Sequence, residues 1–227
     1  TPRDRPWSRR VRSETPFAGM DSFTLLHQAL NQNYEVDCLT FDYGQRHIKE
    51  IECARLACHE KHLSNLQIKI ANVESIFAAS ALTSNSIDMP HGSYQAESMQ
   101  STIVPNRNML FISHAIAYAI SKNIKQVWYG AHAGDHFIYP DCRPEFLSAM
   151  NAVAQICHTF PISVEAPFLN YSKAEIVKIG LDLGIDYSKT WTCYEGQNLA
   201  CGKCGSCNER LEAFALNNTA DPLTYQG

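Results

Sequence analysis

"TPFAGMDSFTLLHQALNQNYEVDCLTFD", residues 15–42, decides the fold, because its pattern changes twice. "DSFTLLHQALNQ" puts Leu25, Leu26, Ala29 and Leu30 on one helical face. "YEVDCLTFD" then reads as a buried strand. Ahead of the helix, "FAGMDS" has the outline of a loop that grips a pyrophosphate, since a helix N-terminus offers unpaired N–H groups and a dipole that favours anions. Phe17 and Ala18 work against that outline, standing where such a loop wants small or polar residues.

The alternation continues along the chain. "RHIKEIECARLACHEKH" predicts a helix with Ile48, Ile51, Arg55 and Cys58 stepping round one side, Cys58 as core filling. "LQIKIANV", "QVWYGA" and "ISVEAP" read as strands, and "NRNMLFISHAIAYAISKN" and "RPEFLSAMNAVAQICHTF" as helices, the second with Pro144 in its first turn. "SKAEIVKIGLDLG" opens with Ser172 and Glu175 at capping-box spacing and stops at Gly184. A last helix starts near "CNERLEAFAL", and residues 83–105 show no periodicity, as a functional or mobile loop would. Strands alternating with helices mean an α/β fold, Rossmann-like, with a parallel sheet covered on both faces. Ligands in such sheets sit beyond the carboxyl ends of the strands, so "DYGQRH", "ANVESIF", "GAHAGDHFIYPDCR" and "APFLNYSK" are the segments to watch.

Composition narrows the function. The 227 residues suffice for one large domain, or a domain with a small appendage. A net charge of −4 speaks against a nucleic-acid surface. No apolar run approaches the ~20 residues of a membrane helix, and the arginine-rich start lacks the apolar core of a signal peptide. Nine cysteines without a secretion signal point to a reducing, cytoplasmic compartment. Four of them, Cys193, Cys201, Cys204 and Cys207, are spaced C-x7-C-x2-C-x2-C, with Gly202 and Gly205 easing the turns. Four thiolates suit one structural zinc per chain with no open position for a catalytic water; an iron–sulfur cluster or a redox role is the alternative.

Together "GMDS", "FDYGQRH", "VPNRNMLF", "GAHAGDHFIYPDCRPEF", "KAEIVKIG" and the cysteine cluster resemble the 7-cyano-7-deazaguanine synthase family of PP-loop ATP pyrophosphatases, over residues 17–227. The resemblance implies a cytoplasmic, homodimeric ligase of queuosine biosynthesis. Its substrates would be 7-carboxy-7-deazaguanine, ammonia and ATP with Mg²⁺, turned over through adenylated intermediates, with neither nucleic acid nor membrane as partner. It implies a catalytic set of Asp21, Ser22 and Lys173, and ATP contacts from Gly19, Met20, Asp21, Ser22, Arg107, Asn108 and Lys173. Substrate contacts would come from Gln45, Arg46, His47, Asp135, Tyr139, Asp141 and Arg143, with Phe137 beside the base and His132 and His136 assisting proton transfer. Cys142 is expected to be packed rather than nucleophilic, and Asn106 to tolerate a left-handed backbone where the family has Gly. Expected domains are an atypical arm 1–16, an ATP-binding α/β domain 17–190 and a zinc segment 191–227.

The family's loop, Ser-Gly-Gly-x-Asp-Ser, falls on Phe17 to Ser22. Upstream, "VRSETP" replaces the apolar run of a central strand, so the first strand is expected to be absent or badly written, and residues 1–16 not to be the family's own N-terminus. Weak ATP turnover is expected in consequence. The competing readings are a homologue or binding protein silenced by that loop, and another PP-loop adenylating enzyme acting on tRNA.

Overall fold

The computed structural model describes residues 10–14, 19–70, 77, 79–94, 97–195 and 198–226. Its frame is a parallel sheet in the order β3-β2-β1-β4-β5. The strands are β1 Arg10–Glu14, β2 Glu35–Asp42, β3 Ser64–Lys69, β4 Gln126–Tyr129 and β5 Ser163–Glu165. The helices are α1 Met20–Asn31, α2 Lys49–Glu60, α3 Arg107–Ser121, α4 Pro144–Ile156, α5 Lys173–Asp182 and α6 Gly205–Leu216.

The strands alternate their side chains between two cores. Val36 and Cys38 of β2 and Trp128 of β4 join Leu25, Leu26 and Ala29 of α1 and Ala54 and Cys58 of α2. Leu39, Phe41, Val127 and Tyr129 face the other way, onto Phe111, Ile112 and Ala115 of α3. There Phe41 and Phe111 stack with centroids 4.2 Å apart. Cys58 is core, as its spacing suggested, but Ile48 is exposed and Arg55 too lies at the surface. The buried stripe of α2 runs instead through Glu50, Ile51, Ala54, Ala57 and Cys58.

The first strand is a correction. β1 is present and central, paired in parallel with β2 from Arg10↔Glu35 to Glu14↔Leu39 and with β4 at Ser13↔Trp128 and Glu14↔Tyr129. Its residue types are not those of a buried parallel strand. Its place is set by the backbone: β2 and β4 each present a ladder edge, and a chain lying between them satisfies both. Pro16 follows the strand and, like Phe17 and Ala18, lies outside the described residues.

From β1 the chain winds outward through β2 to β3, then returns to the other side of β1 for β4 and β5. The reversal leaves a crevice between the carboxyl ends of β1 and β4. Gly130, just after β4, keeps that crevice tight: a Cβ there would lie 2.8 Å from Ser22 Oγ and 3.3 Å from Ser22 N. Within the aperiodic stretch 83–105 the described residues are tied down. Within it Met89, Tyr94 and Met99 are buried, a 3₁₀ turn forms at Glu97–Thr102, and Gly92 N donates to Lys203 O at 3.1 Å.

Candidate active site and metal centre

Helix α1 begins at the crevice. Its N-cap is Gly19, extended at φ −64° and ψ 148°, which has no side chain of its own to cap the first turn. The first-turn N–H groups of a helix have no intrahelical partner, so this end is suited to an anion. Met20 of the first turn points into the core. Asp21 points into the cleft and receives Lys173 Nζ at 2.6 Å. The Ser172–Glu175 capping box fixes the start of α5 and with it the direction of Lys173.

Lys173 also lies 3.4 Å from Glu209 Oε2 on α6. His132, buried after β4, completes the group: Nε2 is 3.8 Å from Asp21, 3.4 Å from Asp135 and 4.0 Å from Glu209. Gly134 N donates to His132 Nδ1 at 3.0 Å, which leaves Nε2 to carry the hydrogen toward the carboxylates. Burial works against a charge on Asp21, yet Lys173 and His132 outweigh it and hold the carboxyl below its usual value. On Glu209 burial wins and the carboxyl is pushed up. Lys173, buried between the two acids, is raised by them. Asp21 Oδ1 is buried without a partner among the described residues, a vacancy that suits a divalent cation.

The other end of the cleft is built differently. Glu50 is buried and lines it, with Gln45 Nε2 at 3.1 Å and His47 Nε2 at 3.2 Å from Oε1. Gln45 cannot be flipped, because its Oε1 accepts from Tyr43 N at 2.9 Å. His47 also lines the cleft and keeps Nδ1 without a partner among the described residues. A chain of phenols joins the two ends. Tyr94 donates to Asp135 at 2.9 Å, Tyr139 bonds Thr102 at 2.7 Å, and Tyr194 OH lies 3.4 Å from Tyr139 OH. Arg107 lines the cleft, buried, with Nη1 3.4 Å from Tyr43 OH and Nε unpartnered among the described residues.

The structure therefore brings Gly19, Asp21, Ser22, His47, Arg107, Asn108, Asp135, Tyr139 and Lys173 to one cleft. Others stand aside. Gln45 orients Glu50 from behind, and Arg46 donates to Ala81 O at 3.4 Å and Ile87 O at 3.3 Å. Asp141 caps α3, accepting from Asn108 N at 3.0 Å, and Arg143 Nε donates to His136 O at 2.8 Å. Neither lines the cleft, nor do His136 and Phe137; the latter is exposed. Cys142 is packed as expected, its thiol 3.2 Å from Asn108 Nδ2 and pushed up by burial. Asn106 is left-handed as expected, at φ 57°. Glu50, Tyr94, Tyr194 and Glu209 were missed. For the two glutamates a signal existed: each sits at helical spacing within a stripe of buried small residues, Ala54 and Ala57 beside Glu50, Gly205 and Ala213 beside Glu209.

Cys193, Cys201, Cys204 and Cys207 converge, all buried, their sulfurs all within 4.8 Å of one another. A tetrahedral ion with bonds of ~2.3 Å to sulfur sets sulfurs ~3.8 Å apart, and Cys201 and Cys207 stand at 3.9 Å. Backbone N–H groups already aim at the sulfurs: Cys201 N at Cys193 (3.3 Å), Lys203 N and Cys204 N at Cys201 (3.4 and 3.3 Å). Such donors steady metal-bound thiolates. The donor set thus fits a metal ion, and Cys204 is at once a ligand candidate and the N-cap of α6.

The family model described as "Queuosine biosynthesis protein QueC" matches residues 17–218. The 7-cyano-7-deazaguanine synthase of Psychromonas ingrahamii is 55% identical over 208 residues, 92% of this chain and 94% of that one. The 7-cyano-7-deazaguanine synthase 1 of Colwellia psychrerythraea is 53% identical over 92% of this chain and 95% of its own length. Among solved structures, NMN synthetase from Francisella tularensis superposes with a TM-score of 0.51 at 12% identity, covering 94% of this chain and 79% of that one, a likeness of fold alone.

Proposed function

The chain belongs to the QueC family of queuosine biosynthesis proteins, and from that premise we propose that it is the ATP-dependent ligase that makes 7-cyano-7-deazaguanine from 7-carboxy-7-deazaguanine and ammonia. One observation supports this most: a helix N-terminus capped by Gly19 and the Asp21–Lys173 pair face a buried carboxylate, Glu50, across a single cleft. The first end suits a pyrophosphate and the second the N–H donors of a flat aminopyrimidinone ring.

A carboxylate is a poor electrophile until one of its oxygens becomes a leaving group. The α1 N-terminus, Ser22 and Lys173 would hold the triphosphate with its α-phosphorus toward the acid. Asp21 Oδ1 would face Mg²⁺, which when bound spreads the phosphate charge. Adenylation followed by nitrogen transfer gives the amide, and a second adenylation on the amide oxygen allows elimination to the nitrile. Arg107 is free to meet the substrate acid or the adenylate. Glu50, braced by Gln45 and His47, would accept from the ring N–H groups, with Tyr139 and Tyr194 beside it. Asp135 orients His132 at the reacting end. The four cysteines would hold zinc as a brace, with no open position for substrate. The resemblance further carries a homodimer in the cytoplasm; no helix among the described residues is long and apolar enough to cross a membrane.

The test is product analysis on metal-replete protein with the acid, ammonium and Mg-ATP. AMP, pyrophosphate and a nitrile should appear together, and only when the acid is present. Formation of ADP, or AMP release indifferent to the acid, would overturn the assignment.

A further inference from the structure

Arg107 opens α3 and lines the cleft, yet its charge lacks a close anion. Among the described residues its side chain makes one hydrogen bond, from Nη1 to Tyr43 OH at a long 3.4 Å, and its Nε is buried without a partner. Asp141, the acid in its neighbourhood, is engaged at the start of α3, where its Oδ2 accepts from Asn108 N at 3.0 Å. A guanidinium carries five N–H donors and no acceptor, so most of the capacity of this one is unused.

Its place in the cleft says what it is for. Burial opposes the Arg107 charge, and Tyr43, Asp141, Cys142 and Tyr139 outweigh it. Burial opposes the Lys173 charge as well, but a separate set sustains that one: Asp21, Glu209 and Asp135. The two cations therefore serve different ends. A bonded path ties Arg107 to the Glu50 end: Arg107 Nη1 reaches Tyr43 OH, Tyr43 N donates to Gln45 Oε1 at 2.9 Å, and Gln45 Nε2 donates to Glu50 Oε1 at 3.1 Å. A carboxylate only accepts and a guanidinium only donates. The edges of the proposed acid match that pair. Its ring N–H and 2-amino group lie on one edge of the pyrimidinone, while the 6-oxo group and the 7-carboxylate, both acceptors, lie side by side on another.

Resting on the ligase reading above, we infer that Arg107 receives the 7-carboxylate of the acid rather than the phosphates of ATP, and so distinguishes the two adenylations. In the first, an anion meets the guanidinium in a charge-assisted pair, about twice as strong as a neutral hydrogen bond. The pair fixes the plane of the carboxylate. One of its oxygens forms the O–P bond to the α-phosphorus while the P–O bond to pyrophosphate breaks, and pyrophosphate leaves with that electron pair. In the second, the substrate is a neutral amide, and Arg107 meets a carbonyl oxygen without a charge. Arg107 thus ranks the acid above the amide.

The experiment feeds the acid and the amide separately to the metal-replete full chain, with ammonium and Mg-ATP, and follows AMP. Arg107→Met should lower kcat/KM for the acid about 100-fold relative to that for the amide, and move the KM for ATP less than about 3-fold. Arg107→Lys keeps the charge but loses the fork, so the same ratio should fall about 10-fold. Calorimetry without ATP gives a second reading on the native chain, which should bind the acid at least about 10-fold more tightly than the amide. A ratio unchanged in both variants, a rise in the KM for ATP that matches the loss with the acid, or equal native affinities for acid and amide would overturn the inference. A native chain that forms AMP from neither the acid nor the amide would instead remove the ligase reading itself.

Discussion

Replacing Arg210 by Met should destabilise the protein sharply, and by an amount that depends on pH. Arg210 is 1% exposed, yet carries a full charge. Its Nε and Nη2 grip Asp221 at 2.7 and 2.9 Å, while Nη1 reaches Thr190 Oγ1 at 2.7 Å and Nη2 also reaches Tyr187 O at 3.0 Å. The latch thus fastens α6 both to the 3₁₀ turn at Tyr187–Lys189 and to the C-terminal tail. Methionine fills a similar volume, so little cavity remains. The cost comes from Asp221, left buried with Leu223 N and the Tyr225 hydroxyl as its remaining partners. Removing one member of a buried pair costs about 3–5 kcal/mol.

Burial pushes the Asp221 carboxyl up, but Arg210 outweighs it and holds the native value below the ordinary one. A carboxyl depressed in the folded state contributes stability that is present above its unfolded pKa and is lost as pH falls through the folded one. In the Met variant burial acts unopposed, so the folded pKa rises and acid relieves the stranded charge. The stability gap between the two proteins should therefore shrink as pH drops from 7.5 toward the carboxylate range. Urea unfolding of metal-replete protein at several pH values measures it, with Lys178→Met as a control, since Lys178 pairs with Asp182 at the surface. A gap under about 1 kcal/mol at neutral pH, or one that stays constant with pH, would refute the reasoning.

Gly180→Ala should lower stability by about 1–3 kcal/mol, because the new Cβ would lie 1.8 Å from a Tyr187 hydroxyl already bonded to Thr24; the thermal midpoint reports it. Changing Phe17 to Ser and Ala18 to Gly together should raise steady pyrophosphate release by at least about 10-fold, as expected from restoring anion donors at a helix N-terminus; equal rates would clear those two residues. Lys173→Met should cut acid-dependent AMP formation by about 100-fold or more, and a pyrophosphate-release assay that finds full activity would remove Lys173 from the machinery. Chelation should extract one metal per chain and lower the thermal midpoint, while a midpoint indifferent to metal would deny the cysteines a structural role.

What was legible in the sequence was what is written locally. The cysteine spacing, the Ser172–Glu175 box, the left-handed Asn106 and the alternation of strand and helix each depend on neighbours within a few turns. The first strand defeated the reading because its position comes from β2 and β4, not from its own residues. Asp141 and Arg143 looked like pocket residues from their company, but Asp141 serves the start of α3 and Arg143 reaches back to His136 O. Glu50 and Glu209 were hidden for the opposite reason. Their spacing with small residues marks an inward helix face, but that the two faces meet the same crevice is written only in the assembled fold.

Helix α6 has one more consequence. Its first turn is clasped by Cys204 and Cys207, and Glu209 follows only two positions later, before Arg210 turns to the tail. Such a helix is a lever whose fulcrum is the sulfur cluster. Oxidising a single thiol, or starving the cell of metal, would swing Glu209 out of register and, through the Lys173 it pairs with, loosen the Asp21 end of the cleft as well.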